Sequence, residues 1–299
     1  MKICLDIQSA VGQRAGIGRY AHSLATHLAA ESGPNDALTL FAFDFRRRGL
    51  PFAAPGARIR TCRLLPGTLA QKAWTRLNGP AFDRFAGPHD LFHFPNFVIP
   101  PLRRGRAVVT IHDISFLRFP EFADAANQRY LESTLPRTLA RADAILTDSR
   151  FCAREITDLL GVPADRVHPV PLGVAPRMHP PPADAVADLR RRLGLNAPYL
   201  LTVGTLEPRK NIPFLVTVFE RLAEQWPGLF VLAGAPGWNV GPILERLTRS
   251  PAAARIRRLD FVADPDLPAL YGGAACFLCA SHYEGFGLPV LEALQRGCP

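Results

Sequence analysis

Little in this sequence is long, repeated or one-sided, and each shortage removes a class of protein. No stretch of the 299 residues approaches the ~20 uninterrupted apolar residues that a membrane-spanning helix needs. The N-terminus, MKICLDIQSA, meets an acid at Asp6 and lacks the apolar core of a signal peptide, so a cytoplasmic location is expected. The 23 glycines and 29 prolines follow no period, which excludes collagen-like and low-complexity chains. Cysteine is scarce and scattered (Cys4, Cys62, Cys152, Cys276, Cys279, Cys298), with no sign of a disulfide framework, which fits a reducing compartment. Cys276-Phe-Leu-Cys279 has the spacing of a redox or zinc half-site. No second Cys pair or spaced His pair completes it, so both read as buried strand cysteines and no metal is expected. Lysine is rarer still, with Lys2, Lys72 and Lys210 the only three among 35 basic residues.

What is present describes a globular chain. A 48% hydrophobic and 20% charged composition leaves enough apolar material for one large or two ordinary domains, and excludes a disordered tail. The formal charge of +9 is uneven: residues 1–180 hold 23 Lys and Arg against 15 Asp and Glu, residues 181–299 hold 12 against 11. Such a basic half suits nucleic acid, anionic lipid or a phosphorylated substrate, and a solvated arginine surface explains it as well. The basic clusters, Arg46-Arg47-Arg48 and Arg103-Arg104, carry no interleaved aromatics and no nucleic-acid motif. Nucleic acid is therefore not expected, and an anionic membrane surface or a lipid-phosphate substrate is the favoured specific partner.

Short apolar runs alternate with longer amphipathic segments, the pattern of parallel strands with crossover helices. Strands are expected at Lys2–Ile7, Leu38–Phe43, His89–Phe94, Ala107–Ile111, Ala144–Thr147 and Val167–Pro171, with helices at Arg19–Glu31 and Asn127–Arg141 and a loop at Ser9–Gly18. Residues Ala175–Ala187, with His-Pro-Pro-Pro at 179–182, read as a linker. The alternation restarts with strands at Tyr199–Val203, Leu229–Ala233, Ile256–Phe261 and Ala275–Ala280 and helices at Asn211–Trp226, Ile243–Thr248 and Leu267–Gly272; Glu292 opens the last helical signal. Two α/β domains, 1–180 and 181–299, are expected to face a central cleft.

Five segments carry candidate chemistry. Gly16-Ile-Gly18 lies between the first strand and the first helix, where backbone N–H groups approach a phosphate, although a structural turn is served as well. His112-Asp113 follows the strand VVTI and Asp148-Ser149 follows AILT, so both emerge at carboxyl-end edges, where open α/β sheets bind ligands. An imidazole there suits a sugar hydroxyl or proton exchange, although a satisfied loop histidine with Asp113 capping a turn explains it by itself; a helix N-cap accounts for Asp148-Ser149. Arg209 and Lys210 sit together between a strand and a helix, an arrangement that suits a diphosphate. The strongest signal is Glu284-Gly-Phe-Gly-Leu-Pro-Val-Leu-Glu292. Its two carboxylates accept hydrogen bonds from sugar or ribose hydroxyls, and the N–H groups of Phe286, Gly287 and Leu288 between them suit an anion.

Together GIGRY, TIHD at 110–113, TDS at 147–149, VGTLEPRKN at 203–211 and EGFGLPVLE at 284–292 resemble the GT-B retaining glycosyltransferases of family 4, the glycosyl transferases group 1 type. The resemblance covers nearly the whole chain and implies an α/β GT-B fold of two Rossmann-like domains. It implies that Glu284 contacts the donor sugar, Glu292 the nucleotide ribose, and Arg209, Lys210 and Phe286–Leu288 the diphosphate. His112 then lies near the transferred sugar, and Gly16 and Gly18 close the other side of the diphosphate pocket. Donor charge is met by side chains and helix dipoles, with no metal and no cofactor beyond the nucleotide sugar, GDP-mannose being the first choice. The pattern looks most like bacterial mannosyltransferases that add to a lipid-linked or saccharide acceptor in O-antigen or exopolysaccharide synthesis, with peripheral contact at the inner face of the plasma membrane. A non-catalytic nucleotide-sugar-binding subunit, an inactive fragment and a nucleotide-sugar epimerase are the alternatives. A phosphorylase would require a pyridoxal-phosphate lysine from only three candidates. Thr205 stands where many relatives have arginine. Measured against the family, the second domain is expected to be incomplete at its C-terminus.

Overall fold

In the computed structural model, which describes residues 1–12, 16–33, 35–174 and 181–299, the chain is an alternation of strands and helices throughout. β1 (Lys2–Asp6) leads to α1 (Gln8–Gly12), α2 (Ile17–Glu31), β2 (Ala37–Phe43), β3 (Arg58–Cys62), α3 (Gly67–Leu77), α4 (Asp83–Ala86) and β4 (Leu91–Phe94). Then come β5 (Arg106–Thr110), α5 (Ser115–Arg118), α6 (Ala125–Arg141), β6 (Ala144–Thr147), α7 (Arg150–Leu160) and β7 (Val167–Pro169). The chain goes on through α8 (Ala183–Arg192), β8 (Tyr199–Val203), α9 (Ile212–Ala223), β9 (Leu229–Ala233) and α10 (Gly241–Thr248). It finishes with β10 (Ile256–Leu259), α11 (Leu267–Gly272), β11 (Cys276–Phe277) and α12 (Leu288–Gln295).

These elements form two compact units, Met1–Ile114 with Ala126–Pro171, and Ser115–Ala125 with Leu172–Pro299. The placement of Ser115–Ala125 with the second unit is not visible in the strand–helix rhythm.

The first unit holds an all-parallel sheet of order β3-β2-β1-β4-β5-β6-β7. Its central strands are apolar on both faces, as helices on either side require: β2 buries six of its seven residues. Phe82 packs edge-on against Phe41 and Phe94 at centroid distances of 4.8 and 5.1 Å. Each such fully buried ring contributes roughly 1.5–3 kcal/mol. Gly18, Ala21, Ala25 and Ala29 form the buried face of α2. Ser149 caps α7 by accepting from Cys152 N–H at 3.1 Å, and Gly161 closes that helix in the left-handed conformation.

The second unit holds a parallel sheet of order β10-β9-β8-β11. One face packs against α8, α11 and α12 through Leu189, Leu270 and Ala293, the other against α9 and α10 through Val216, Phe219 and Ile243. At the carboxyl ends of β8 and β9 the two backbones nearly touch. A Cβ on Gly234 would sit 1.9 Å from the Gly204 carbonyl oxygen, so only glycine fits there.

The structure corrects several boundaries. Ser9–Gly12, expected as loop, belongs to α1, whose first N–H (Gln8) is held by the Asp6 carboxylate at 2.9 Å. The expected linker Ala175–Ala187 ends earlier, because α8 starts at Ala183. Pro182 precedes the first helical residue, where a missing N–H costs nothing, and residues 175–180 lie outside the described residues. The last helix opens at Leu288 rather than Glu292. β3 and α3 lie in a stretch that the pattern left unassigned, and β3 is an edge strand with exposed Arg58 and Arg60, so no apolar run marks it. Cys4, Cys62, Cys152 and Cys298 are buried as expected, but Cys276 is only partly so and Cys279 is exposed, since β11 stops at Phe277. Among the described residues, no helix is long and apolar enough to cross a membrane.

Candidate functional site

In an open parallel sheet, ligands bind beyond the carboxyl ends of the strands where the strand order reverses. In the second unit that point lies between β8 and β11. A concave pocket sits there, lined by Thr202 and Val203 from the end of β8, Leu278–Ser281 after β11, and Lys210, Glu284, Gly287 and Val290. Glu284 is its electrostatic centre. One carboxylate oxygen accepts from Lys210 Nζ and from Ser281 Oγ, both at 2.6 Å, while the other faces Arg209 Nη1 at 3.2 Å. Arg209 also donates to the Tyr283 carbonyl at 2.7 Å, and its own carbonyl accepts from His282 N–H at 2.9 Å. The turn after β8 and the turn after β11 are thus stitched together through one arginine.

Glu207 completes the cluster, accepting from Arg209 Nη2 at 2.6 Å while only 3% exposed. Burial raises its carboxyl above the usual glutamate value despite the two cations beside it. For Glu284 burial pushes the same way, but Lys210 and Arg209, with the hydrogen bonds from Lys210 and Ser281, outweigh it and hold the carboxyl below that value. Glu284 is therefore an anion near neutral pH, an acceptor for hydroxyl groups. The two cations beside it suit phosphate oxygens.

α12 begins at the rim of this pocket. Gly287 is its N-cap at φ 89°, so the N–H of Leu288 lies in the first turn, outside the helix's own hydrogen-bonding ladder and at the positive end of its dipole. Glu292 lies one turn deeper, 3% exposed, accepting from the Tyr271 hydroxyl at 2.8 Å.

The first unit has a cluster of different character, at the carboxyl ends of β5 and β6. The partly buried His112 faces the Asp148 carboxylate with Nδ1 at 2.8 Å and the Pro95 carbonyl with Nε2 at 3.0 Å. Both partners are acceptors, so whichever ring nitrogen carries a hydrogen has one to donate to. Tyr20 meets the ring edge-on with centroids 4.7 Å apart, and Phe97 closes it from 6.2 Å. Phe97 is in the left-handed region at φ 55°, an unfavourable conformation for an aromatic residue, and its N–H is held by the Thr110 carbonyl at 3.0 Å. Thr110 Oγ1 lies 3.2 Å from the Tyr20 hydroxyl and 2.9 Å from Nε2 of the buried His93. Gly16 begins α2 at φ 53° and Gly18 is buried within its first turn. The Asp44 carboxylate, at the end of β2, binds Arg48 and Gly49 N–H and so shapes its own turn.

The sequence matches Glycosyltransferase Family 4 over residues 14–177 and Glycosyl transferases group 1 over residues 187–299. The chain belongs to glycosyltransferase family 4. It is 38% identical over 212 residues to O-antigen chain mannosyltransferase B of Escherichia coli, a match that covers 70% of this chain and 55% of that protein. A serotype-specific mannosyltransferase WbdA of the same organism is 30% identical over 206 residues, 64% of this chain and 25% of that protein. The chain thus spans about half or less of these relatives. Among solved structures, sucrose-phosphate synthase from Thermosynechococcus elongatus superposes with a TM-score of 0.74 at 19% identity, covering all of this chain and 80% of that one, which gives the GT-B fold class.

Within this family 4 chain, residue patterns brought out Arg209, Lys210 and Glu284, which the fold gathers into one cluster. They left out Glu207, Ser281 and the aromatic segment that braces them. Phe119 packs on Tyr283 at 5.9 Å, Phe122 stacks on His282 at 4.8 Å, and Trp238 donates to the Phe122 carbonyl at 2.6 Å. The only trace in the sequence is Phe116, Phe119 and Phe122 at every third position after TIHD.

Proposed function

We propose that the chain is a retaining glycosyltransferase, moving mannose from a nucleotide-diphosphate donor to a lipid-linked or saccharide acceptor of a bacterial surface polysaccharide. The observation that carries this reading is Glu284 bound by Lys210, Arg209 and Ser281 at the strand-order reversal of the second unit. On donor binding, the diphosphate takes over donors of Arg209 and Lys210, and Glu284 turns to the sugar hydroxyls. The N–H groups at the start of α12 and the two cations stabilise the charge that develops as the diphosphate leaves. Glu292 holds the ribose and His112 the transferred sugar, Gly16 and Gly18 closing the opposite side of the diphosphate. The acceptor attacks the face that the diphosphate leaves, which retains the anomeric configuration. Mannose as the sugar is supported by the 38% identity to an O-antigen mannosyltransferase. The +9 charge, concentrated in residues 1–180, supports peripheral contact with anionic membrane from the cytoplasmic side.

The test is a panel of nucleotide sugars, read by donor hydrolysis and by shift in melting temperature. GDP-mannose is expected to be turned over and to stabilise the chain, and Glu284→Ala to abolish turnover. Stabilisation by UDP-sugars alone overturns the choice of donor, and full activity of Glu284→Ala overturns the role of that glutamate. Binding without hydrolysis or transfer favours a non-catalytic nucleotide-sugar-binding subunit.

A further inference from the structure

The first unit has a concavity of its own, in the groove between α3 and α6, built from residues with no part in the reading above. Its walls are Trp74 and Gln71 from α3, Tyr130, Arg137 and Arg141 from α6, and Pro100 from the segment after β4. Arg137 and Arg141 stand one helical turn apart. Among the described residues neither has a carboxylate partner. Arg137 commits a single N–H, to the Thr75 carbonyl at 2.9 Å, and Arg141 commits two, to the Ile99 carbonyl at 2.8 Å and to Asn78 Oδ1. A guanidinium carries more donors than that, so most of both forks is left for another acceptor. Partial burial and the Arg137 cation both lower the Arg141 pKa, the mark of positive charge gathered without compensation.

The rest of the groove is fixed. Trp74 donates its indole N–H to the Pro80 carbonyl at 2.6 Å and tilts against Phe43 and Phe82, so its ring is a rigid wall. The Tyr130 hydroxyl accepts from Gln71 Nε2 at 2.6 Å, which leaves its own hydrogen for an acceptor in the groove. Paired guanidinium forks and a hydroxyl, beside an indole and a phenol ring, match a phosphate group attached to something flat or apolar. A purely structural pair of arginines would not need to accumulate charge against two aromatic rings.

We propose that this groove is a binding site for a phosphate-bearing ligand, held through its phosphate by Arg137 and Arg141 and packed through its attached group on Trp74 and Tyr130. The site lies wholly in the first unit and does not depend on sugar transfer. Two sources share this chemistry, a soluble phosphate ester and the headgroup of an anionic lipid, and the experiment separates them.

The whole chain carrying Trp226→Phe and Trp238→Phe keeps Trp74 as its one indole, since the sequence has three tryptophans. Its fluorescence is titrated with inorganic phosphate, with glycerol phosphate, and with vesicles of phosphatidylglycerol or of phosphatidylcholine, at constant ionic strength made up with chloride. Saturable binding of phosphate, glycerol phosphate or phosphatidylglycerol is expected, and none of phosphatidylcholine. Vesicle binding without a response to either soluble phosphate assigns the lipid headgroup; comparable soluble binding assigns a free ester. Arg137→Gln and Arg141→Gln are each expected to weaken binding by roughly tenfold or more, the loss of a charge-assisted hydrogen bond. Arg191→Gln, which removes an exposed charge on α8, is expected to leave it unchanged. If either glutamine variant fails to fold, Arg137→Lys and Arg141→Lys keep the charge but lose the fork, and weakened binding is again expected. No saturable response in the parent, or one that survives in the folded arginine variants, overturns the proposal. Glu284→Gln is expected to leave this titration untouched, so the transfer reading and this one fail separately.

Discussion

The two units hold their principal site residues in opposite ways. In the first, His112 sits between a carboxylate, a carbonyl and two aromatic rings, and none of its partners is a cation. In the second, Glu284 is tied to two cations and a hydroxyl at the mouth of a pocket. The first arrangement is a fixed template, since each hydrogen bond and ring contact restrains the imidazole and none must break for it to keep its orientation. The second is an exchangeable one. Partly buried ion pairs gain little net stability because desolvation offsets most of the Coulomb energy, so an anionic ligand can replace Glu284 as partner of Lys210 and Arg209 at small cost. A unit that orients and a unit that exchanges partners is what the difference teaches, and each variant below either breaks that contrast or sharpens it.

The largest effect is expected at the centre of the exchangeable cluster. Glu284→Gln keeps the shape but removes the anion, so Lys210 loses this carboxylate and Arg209 keeps Glu207. The transfer rate should fall by at least about a hundredfold, roughly 3 kcal/mol of transition-state stabilisation. Donor affinity should stay within about threefold of the parent, because the cations that grip the diphosphate remain and are less occupied. Equal losses in kcat and in donor affinity would show that the carboxylate positions the cations rather than the sugar, and the contrast between the units would collapse.

A comparable energy, read as stability, is expected from His93 in the template. Burial, with the nearby His112 adding to it, lowers its pKa from 6.5 to about 4. The unfolded chain therefore binds more protons between those values. The contribution is fully present above about pH 6.5 and is lost as pH falls towards 4, on the order of 3 kcal/mol across the window. Urea unfolding at pH 7 and pH 4.5 should show this loss in the parent and a smaller one in His93→Gln. Identical slopes for the two proteins would remove His93 from the account.

How much of this was legible in the sequence differs between the units for the same physical reason. The exchangeable cluster is built from charged residues within two short motifs, 207–210 and 281–284, so residue type alone exposes Arg209, Lys210 and Glu284. Its bracing is not exposed, because Phe119 and Phe122 come from a segment far along the chain and carry no charge. The template is assembled across the sheet. Thr110 and Leu146 pair in register on β5 and β6, which sets His112 and Asp148 each two residues beyond that pair. The pairing of those side chains follows from that register, but a sequence does not print registers, and Asp148 reads there as an N-cap beside Ser149. The strands of the sheet cores were visible as apolar runs. The edge strand β3 was not, because its arginines face solvent.

A smaller effect is expected from Asp148→Asn. The amide can still accept from His112 Nδ1, but the bond is no longer charge-assisted, a difference of about 1–1.5 kcal/mol that corresponds to roughly a five- to tenfold loss of kcat/KM. The loss should fall on kcat, with the donor-induced shift in melting temperature unchanged, because the cluster of the second unit is intact. Asp148→Glu, which restores the charge on a longer arm, should recover part of the rate. A loss of donor binding in Asp148→Asn would mean that the template also supports the exchangeable site.

The smallest effects compare the two glycines that start α2 and α12. Gly16 has φ 53° with ψ −114°, whereas Gly287 has φ 89° with ψ 43°. Among the described residues a Cβ on Gly16 would meet nothing within 4 Å, and one on Gly287 only Val290 Cγ2 at 3.9 Å, so crowding by these residues explains neither glycine. The cost of alanine is then the backbone alone, about 1–2 kcal/mol at Gly287. Asparagine tolerates the left-handed helical region but not the conformation of Gly16, whose ψ lies far outside it. Gly287→Asn should therefore recover part of the melting temperature lost in Gly287→Ala, while Gly16→Asn should recover none relative to Gly16→Ala. If both asparagines rescue, the turn into α2 has relaxed to a left-handed helical one. The template would then share the adaptability of the cluster in the second unit, and the contrast would rest on His112 and its acceptors alone.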